Sequence, residues 1–273
     1  MVLLGSDIGL YYRLGGTKLI DIHSHILYGL DDGAKTVKNS LEMARAAVNQ
    51  GIKVIYATPH HLNGVYENNA EEIRKAVLRI NQLFHNHSIN LDVRVGQEIR
   101  INGNILEDLQ NGSSLTLGDQ GIYVLIEFPS KEVPRYTNNL LFDLQVEGFK
   151  PIIVHPERNS EIIQKPSILY ELVKNGALTQ VTAASVAGKF GKKIQRFSLD
   201  LIEHHLTHFI ASDAHNITTR SFWMNEAFEV IQNTFGIDIV FYLKENAQLL
   251  LDNEIVIGEP PHRIKQKKLF GLF

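Results

Sequence analysis

Short apolar runs alternate with amphipathic stretches along most of the chain. The runs are rich in Val, Ile and Leu, which is typical of strands that are buried on both faces of a sheet. Seven strands are predicted in this way, at residues 19–22, 52–57, 91–95, 122–126, 151–154, 178–182 and 206–211. Between them, apolar residues recur at helical spacing, which predicts helices at about 37–48, 73–84, 105–109, 136–146, 166–175, 222–234 and 240–250.

Strands that alternate with helices favour an α/β fold with a parallel sheet and right-handed crossovers. The pattern alone fits a closed barrel and a doubly wound open sheet equally well. No linker rich in Pro or Ser divides the chain, so one domain is predicted at 19–252. It is preceded by an N-terminal extension at 1–18, in which Gly5, Asp7 and Arg13 interrupt any signal-peptide pattern, and followed by a C-terminal tail at 253–273.

The C-terminal tail combines basic and aromatic residues. Its basic residues are Arg263, Lys265, Lys267 and Lys268, and they precede the sequence Leu269-Phe270-Gly271-Leu272-Phe273. Such a segment could be a frayed end outside the domain. It could instead dock on a partner protein or on an anionic membrane surface, where each basic residue contributes about 1 kcal/mol.

Composition excludes several classes of protein. The 273 residues include 27 Lys or Arg and 30 Asp or Glu, a net charge of -3, which gives no electrostatic basis for binding nucleic acid. No apolar run approaches the roughly 20 residues that span a bilayer, so no membrane span is predicted. The chain has no cysteine, which excludes disulfides, thiolate zinc sites, iron–sulfur clusters and a cysteine nucleophile, and which fits a cytoplasmic location.

Residues that commonly bind metals follow six of the seven predicted strands. The nine candidates, in chain order, are His23, His25, Asp32, His60, Glu98, Glu127, His155, Asp213 and His215. The carboxyl ends of parallel strands meet on one face of a barrel or at one edge of an open sheet, so these side chains are expected to converge. Taken singly, each has an ordinary alternative, such as an Asp that caps a helix. Six strand ends together favour a metal centre.

Nine candidates are too many for one ion, since a catalytic zinc takes about three protein ligands. Two or three ions that share carboxylates fit the set better. His and carboxylate ligands suit Mn²⁺, Fe²⁺ or Zn²⁺, and the large share of oxygen favours Mn²⁺. Among the histidines left out of the site are His61, His85, His87, His204, His205 and His208, and all of these except His61 are predicted to face solvent.

The motifs around the candidates have a specific order and spacing. They read Asp21-Ile22-His23-Ser24-His25, Asp31-Asp32-Gly33, Thr58-Pro59-His60, Gly96-Gln97-Glu98, Ile126-Glu127, His155-Pro156-Glu157-Arg158 and Ser212-Asp213-Ala214-His215-Asn216. This series resembles the polymerase-and-histidinol-phosphatase (PHP) superfamily. Within it, the chain is similar to the manganese-dependent protein-tyrosine phosphatases of Gram-positive capsule and exopolysaccharide clusters, over about residues 19–252.

The resemblance implies a distorted, TIM-barrel-like (β/α)7 barrel with a metal cluster at the C-terminal ends of its strands. It assigns one ion to His23, His25, Glu98 and Asp213, a second to Glu98, Glu127 and His155, and a third to Asp32, His60 and His215. It places the phosphate-binding arginines, which would also be catalytic, at Arg158 and Arg220. The implied substrate is phosphotyrosine on proteins, in particular on a bacterial tyrosine kinase that controls capsule or exopolysaccharide synthesis.

Two other functions stay open at the level of sequence. The same scaffold serves small-molecule phosphatases of the histidinol-phosphate type, although Asp32 and the His-Pro-Glu-Arg string resemble the tyrosine-phosphatase branch more. A metal-binding module without catalysis is the second alternative, but such domains usually have lost ligands and none is lost here. Arg158 has its own alternative as an ordinary surface residue, and its position three residues after His155 argues against that.

Overall fold

The computed structural model describes residues 18–256 and 258–265 of the chain. Most of the N-terminal extension, at 1–17, and the end of the C-terminal tail, at 266–273, lie outside the described residues. The predictions made for Lys267, Lys268 and the aromatic residues after them therefore stay predictions.

The described part of the chain forms nine strands. They are β1 (Leu19–Ser24), β2 (Ile52–Ala57), β3 (His60–His61), β4 (Asp92–Val95), β5 (Glu98–Arg100), β6 (Tyr123–Glu127), β7 (Lys150–Val154), β8 (Leu178–Thr182) and β9 (Phe209–Ala211). Hydrogen bonds order them into a three-stranded sheet, β1-β2-β4, and a six-stranded sheet, β3-β5-β6-β7-β8-β9. Every pairing within the two sheets is parallel.

These strands fill seven positions around a barrel. After short breaks, β3 continues the position of β2 and β5 continues that of β4, so β2 pairs with β4 and β3 pairs with β5. The ring closes between β1 and the chain after β9, where Ser24 pairs with Ala214 and the His25 amide donates to the Ala214 carbonyl at 2.9 Å. The predicted distorted (β/α)7 barrel is confirmed, and the open sheet is not formed. One detail differs from the sequence pattern, in which Glu98 only follows the third predicted strand: Glu98 begins a further strand, β5.

Helices connect the strands around the outside. Within the described residues they are α1 (Val37–Asn49), α2 (Ala70–Asn86), α3 (Ile105–Gln110), α4 (Thr137–Val146), α5 (Ser160–Gln164), α6 (Ser167–Lys174), α7 (Ala183–Val186), α8 (Lys192–Glu203), α9 (Met224–Phe235) and α10 (Ile237–Leu251). The sequence pattern predicts all of these except α5, α7 and α8. None of the described helices is both long and apolar enough to cross a membrane.

Strand residues alternate between the interior of the barrel and the layer of helices. Ile22, Val54 and Leu125 belong to the buried cluster inside the barrel. Ile55 and Ile126, each next to one of those positions in sequence, belong to the larger cluster between strands and helices. Because both faces are buried, the strands read as continuous apolar runs, and polar residues are left to the strand ends, where the functional candidates lie.

Candidate metal centre

The nine candidate residues come together at the C-terminal end of the barrel, around the buried carboxylate of Glu98. Its Oε2 lies 3.4 Å from His23 Nε2, 3.3 Å from His25 Nε2 and 2.8 Å from His60 Nδ1. Its Oε1 lies 2.7 Å from His155 Nε2. The position of Glu98 follows from strand register, because His60 in β3 is its direct neighbour across the β3–β5 pair.

Three groups of side chains offer ligand atoms within 4.8 Å of one another. They are His23, His25 and Asp213; His60, Glu98 and Glu127; and His25, Asp32, His60 and His215. The grouping differs in detail from the one implied by the resemblance, since His25 and His60 each belong to two groups. His155 belongs to none of the three, although it contacts Glu98. The arrangement accommodates two or three cations that share ligands.

For three of the histidines, a second hydrogen bond fixes which ring nitrogen faces the centre. His23 Nδ1 donates to Gln180 Oε1 at 2.9 Å, and His25 Nδ1 donates to Asp31 Oδ2 at 2.6 Å. His215 Nδ1 donates to a backbone carbonyl, that of Asp213, at 2.9 Å. In each case Nε2 is left free to accept a cation, which is the arrangement that metal-binding histidines usually show.

Asp31 is a functional residue that sequence reasoning quoted but did not assign. It is buried, and besides His25 it accepts the Gly33 amide at 2.9 Å and the His60 amide at 3.1 Å. Gly33 must be glycine, since a Cβ there would lie 2.2 Å from the His25 carbonyl oxygen. The Asp-Asp-Gly motif thus supplies one carboxylate that orients His25 and a second, Asp32, that faces the centre.

The charges of the protein keep two of the central carboxylates, those of Glu98 and Asp213, ionised. Burial alone would raise the pKa of Glu98, but neighbouring histidines, chiefly His23, hold it well below its usual value. Burial acts in the same direction on Asp213, and Arg158 holds its pKa well below the usual value. Burial and the nearby charge of Glu98 raise the pKa of Glu127 to about 7. The result is buried negative charge of the kind that a divalent cation neutralises.

Three polar atoms in the centre support the same interpretation. His60 Nδ1, Glu98 Oε2 and His215 Nε2 are buried and make no hydrogen bond of regular geometry among the described residues, although His60 Nδ1 lies 2.8 Å from Glu98 Oε2 and His215 Nε2 lies 3.3 Å from Asp32 Oδ1. A buried polar atom without a partner costs about 1–3 kcal/mol. Cations bound among these atoms would satisfy all three, so the residues present fit a metal cluster.

A cavity of about 250 Å³ opens beside the cluster. Its lining residues are His60, Glu127, Phe128, Ser130, Val154, His155, Pro156, Arg158, Asn159 and Arg220. Both predicted arginines therefore line it, and both contact Asp213: Arg158 Nη2 lies 2.6 Å and Arg220 Nη2 3.1 Å from Asp213 Oδ2. Arg158 Nε is buried without a hydrogen-bond partner among the described residues.

Two residues near the centre were missed by sequence reasoning. Arg100 contacts Glu127 Oε2 through Nη2 at 2.9 Å, because β5 places it directly beside Glu127 in register. Gln180, fully buried in β8, orients His23 as described above. Neither has a sequence signal of its own, since both act through a partner that is remote along the chain.

The remaining histidines follow the predictions in part. His85 and His87 are exposed, as predicted, and His204 and His205 are half-buried. The prediction for His208 is wrong: it is buried, because it directly precedes the last barrel strand, β9, rather than lying on a helix surface. His61 is also buried and belongs to none of the three ligand groups.

Comparison with known proteins agrees with this architecture. The family model described as capsular polysaccharide synthesis, CpsB/CapC, matches residues 19–252. The tyrosine-protein phosphatase YwqE of Bacillus subtilis (strain 168) is 51% identical over 255 residues, which cover 93% of this chain and 100% of YwqE. The tyrosine-protein phosphatase CpsB of Streptococcus pneumoniae is 30% identical over 243 residues, covering 86% of this chain and 96% of CpsB.

Solved structures match as well. A crystal structure from a study of YwqE of Bacillus subtilis and CpsB of Streptococcus pneumoniae, described as unique metal-dependent tyrosine phosphatases, matches with a TM-score of 0.89 and 50% identity over 91% of this chain and 100% of that one. An organophosphorus hydrolase mutant from Deinococcus radiodurans shares the fold alone, with a TM-score of 0.56 at 12% identity over 86% of this chain and 92% of that one. The family inferred from the motifs is confirmed: the chain belongs to the CpsB/CapC family of capsular polysaccharide synthesis.

Proposed function

We propose that the chain is a metal-dependent tyrosine-protein phosphatase that hydrolyses phosphotyrosine on proteins. The observation that carries the proposal is the placement of two arginines at one cavity beside three groups of candidate metal ligands, one of the arginines with a buried, unpartnered donor. Such a cavity suits a dianionic phosphoryl group. Relatives that are named tyrosine-protein phosphatases support the choice of substrate.

The nine candidate residues would hold the ions, and we propose Mn²⁺ as the metal, with Fe²⁺ or Zn²⁺ as alternatives. The ligand set contains imidazole nitrogens and four carboxylates and no sulfur, which suits these ions and favours Mn²⁺. When bound, such ions lower the pKa of water and neutralise charge on phosphoryl oxygens. Glu98 lies at the centre of the contacts, so it is the residue we expect to bridge two ions.

Arg158 and Arg220 would bind the phosphoryl oxygens. A guanidinium presents a planar fork of donors that can hold two oxygens at once and that stays charged at every relevant pH. Asp213 holds both forks in place at one side of the cavity. Because the positions are set before substrate arrives, the donors can stabilise negative charge as it develops on phosphorus without first reorganising.

The leaving group explains why no separate general acid is needed. The phenol of tyrosine has a pKa of about 10 and departs as a phenolate with less help than an alkoxide requires. All the histidines that line the cavity belong to the candidate ligand set. The chain therefore suits an aryl ester better than an alkyl ester such as histidinol phosphate.

We further propose that the protein substrate is a bacterial tyrosine kinase that controls capsule or exopolysaccharide synthesis, and that the reaction takes place in the cytoplasm. The family description supports the link to capsular polysaccharide. Tyrosine phosphorylation consumes ATP, which places its products on the cytoplasmic side. Docking of the basic and aromatic C-terminal tail on the partner or on the membrane beside it is the alternative to a frayed end, and removal of the tail tests it.

A substrate and metal panel tests the proposal. Metal-stripped protein is titrated with Mn²⁺, Zn²⁺ and Mg²⁺, and release of phosphate is measured from a phosphotyrosyl peptide, a phosphoseryl peptide and histidinol phosphate. We expect Mn²⁺ to restore hydrolysis best and the phosphotyrosyl peptide to be the preferred substrate. A preference for histidinol phosphate, or turnover that needs no metal, would contradict the proposal. His85→Ala, an exposed histidine far along α2, serves as the control and should behave like the wild type.

A further inference from the structure

One wall of the cavity is formed by the chain that follows β6 directly. We call residues 128–133 the wall segment. Phe128 and Ser130 line the cavity, together with Val154 and Pro156 from the neighbouring strand end. The cavity therefore combines charged groups, which suit a phosphoryl group, with an apolar side, which suits the group that the phosphate is attached to.

Asn159 connects the wall segment to the turn that carries Arg158. Its Oδ1 accepts the amides of Glu161 and Ile162, both at 3.0 Å, and so caps α5. Its Nδ2 donates to the Pro129 carbonyl at 2.8 Å and to the Glu132 carbonyl at 3.0 Å. The side chain is buried and makes all four hydrogen bonds that an amide can make.

Two further bonds hold the same two segments together. The Ser160 amide donates to the Ser130 carbonyl at 2.9 Å. The Val133 amide donates to Glu161 Oε2 at 2.9 Å. Four residues of the wall segment are thus hydrogen-bonded to the three residues that directly follow Arg158. They are Pro129, Ser130, Glu132 and Val133.

Capping alone does not account for Asn159. A helix N-cap needs only the side-chain oxygen, and Asp or Ser serves as well as Asn. The amide nitrogen is the part that distinguishes Asn, and both of its hydrogens are used on the wall segment. Its second role is therefore to set the distance between the wall and the adjacent arginine.

We propose that Asn159 is a positioning residue for substrate specificity: it holds the wall segment so that Phe128 and its apolar neighbours receive the aromatic leaving group while Arg158 binds the phosphate. This inference rests on the proposed phosphatase function and adds the place where the aryl group is recognised. An aromatic ring fits an apolar wall at a fixed distance from the phosphate, whereas a small hydrophilic leaving group gains nothing from it.

Two substitutions remove different bonds of the same connection. Asn159→Asp keeps the acceptor that caps α5 and replaces the two donors by an oxygen that faces two carbonyls. Glu161→Ala removes the bond to Val133 and leaves Asn159 intact. The first adds a negative charge near Arg158 and the second removes one, so an effect that both share cannot arise from charge. Lys165→Ala is the matched control, since Lys165 is an exposed residue at the end of α5 whose ion pair with Glu161 is 3.8 Å long.

The holoenzymes are compared by the KM and kcat for phenyl phosphate and by competitive inhibition with inorganic phosphate, which occupies the phosphate end alone. We expect both variants to raise the KM for phenyl phosphate by at least about 10-fold, the low end of what an apolar pocket contributes to discrimination. The inhibition constant of phosphate and the bound metal per chain should stay as in the wild type and in Lys165→Ala. The melting temperature of each variant should fall, because buried hydrogen bonds are lost, and the assay temperature is kept below it.

Each outcome decides a different point. Equal losses for phenyl phosphate and for inorganic phosphate in both variants would overturn the positioning role, because the wall would then act on the phosphate site as a whole. An unchanged KM for phenyl phosphate in a folded, metal-loaded Glu161→Ala protein would overturn it as well, even where Asn159→Asp fails to fold. Absence of phosphatase activity in the wild type would instead refute the proposed function.

Discussion

Because His208 is buried, we expect the folded protein to lose stability in acid in a specific way. The residue is 3% exposed and directly precedes β9, and its Nδ1 accepts the Thr179 amide at 3.1 Å, which requires a neutral ring. Its own backbone carbonyl accepts the Asn246 side-chain amide at 2.9 Å. Gly258 packs so closely that a Cβ there would lie 2.5 Å from His208 Nε2. Burial lowers the pKa of His208 to about 4.

The sign and the size of the effect follow from linkage. The pKa of the folded state lies below the unfolded value of about 6.5, so only the unfolded state binds the proton between these two values, and stability falls as the pH falls. The stability that the neutral His208 ring contributes is fully present above pH 7. It is reduced by about 2 kcal/mol at pH 5 and by about 3 kcal/mol below pH 4.

The assay compares urea unfolding of the wild type and of His208→Asn between pH 7 and pH 5. Asn keeps an acceptor for the Thr179 amide but does not titrate, so the variant should be less stable than the wild type at pH 7 and lose much of that disadvantage at pH 5. Both proteins contain the same candidate metal ligands, so loss of metal in acid cancels in the difference. His85→Asn, at an exposed position, is the matched control for the substitution itself.

A stability difference between the wild type and His208→Asn that stays constant from pH 7 to pH 5 would refute the reasoning. It would mean that the ring is protonated in the folded state, or that the folded protein opens at this site before it unfolds.

Four further predictions concern the site and the tail. Glu98→Gln should abolish turnover and reduce bound metal in a chain whose circular dichroism stays native; activity within a few-fold of the wild type would contradict a bridging role. Arg158→Lys should lower kcat by about 10²–10³ and raise KM less, because the fork is lost and the charge is kept; near-native kinetics would make the residue a generic charge. Asp31→Asn should weaken Mn²⁺ binding by about 10- to 100-fold in calorimetry, because His25 loses the carboxylate that orients it. Removal of residues 266–273 should leave turnover of a phosphotyrosyl peptide and of a membrane-bound kinase unchanged, and slower turnover of the kinase alone would identify the tail as a docking segment.

The barrel was predictable because its strands are buried on both faces. Continuous apolar runs identify all seven strand positions, and the polar residues at their ends identify the face that carries chemistry. The helix α8 was missed although Phe197 and Leu201, spaced by one helical turn, are both buried. The exposed lysines at its start gave no sign of a helix beginning there, since helices usually begin with acidic or capping residues.

The residues of the candidate site were predictable one by one, but the orientation of their side chains was not. Strand ends indicate which side chains meet, whereas Gln180 and Arg100 act through hydrogen bonds to partners that are chosen only when the barrel closes. The same limit applies to the ligand groups, because distances among side chains decide that His25 and His60 face two groups each. The role of each candidate as a ligand stays a prediction for metal analysis to test.

The two broken strands explain how a barrel with seven positions can gather so many ligands. Pro59 lies in the first break and Gly96 in the second, the residue types that interrupt strands. The breaks pack against each other, since a Cβ on Gly96 would lie 2.9 Å from Thr58 Cγ2 and 2.8 Å from Leu117 Cδ2. The Glu98 amide then donates to the Pro59 carbonyl at 3.1 Å, and the strands resume with His60 beside Glu98. An unbroken β4 would not bring Glu98 beside His60 in this way. The two strand breaks, which the apolar pattern does not predict, therefore place the central carboxylate next to His60.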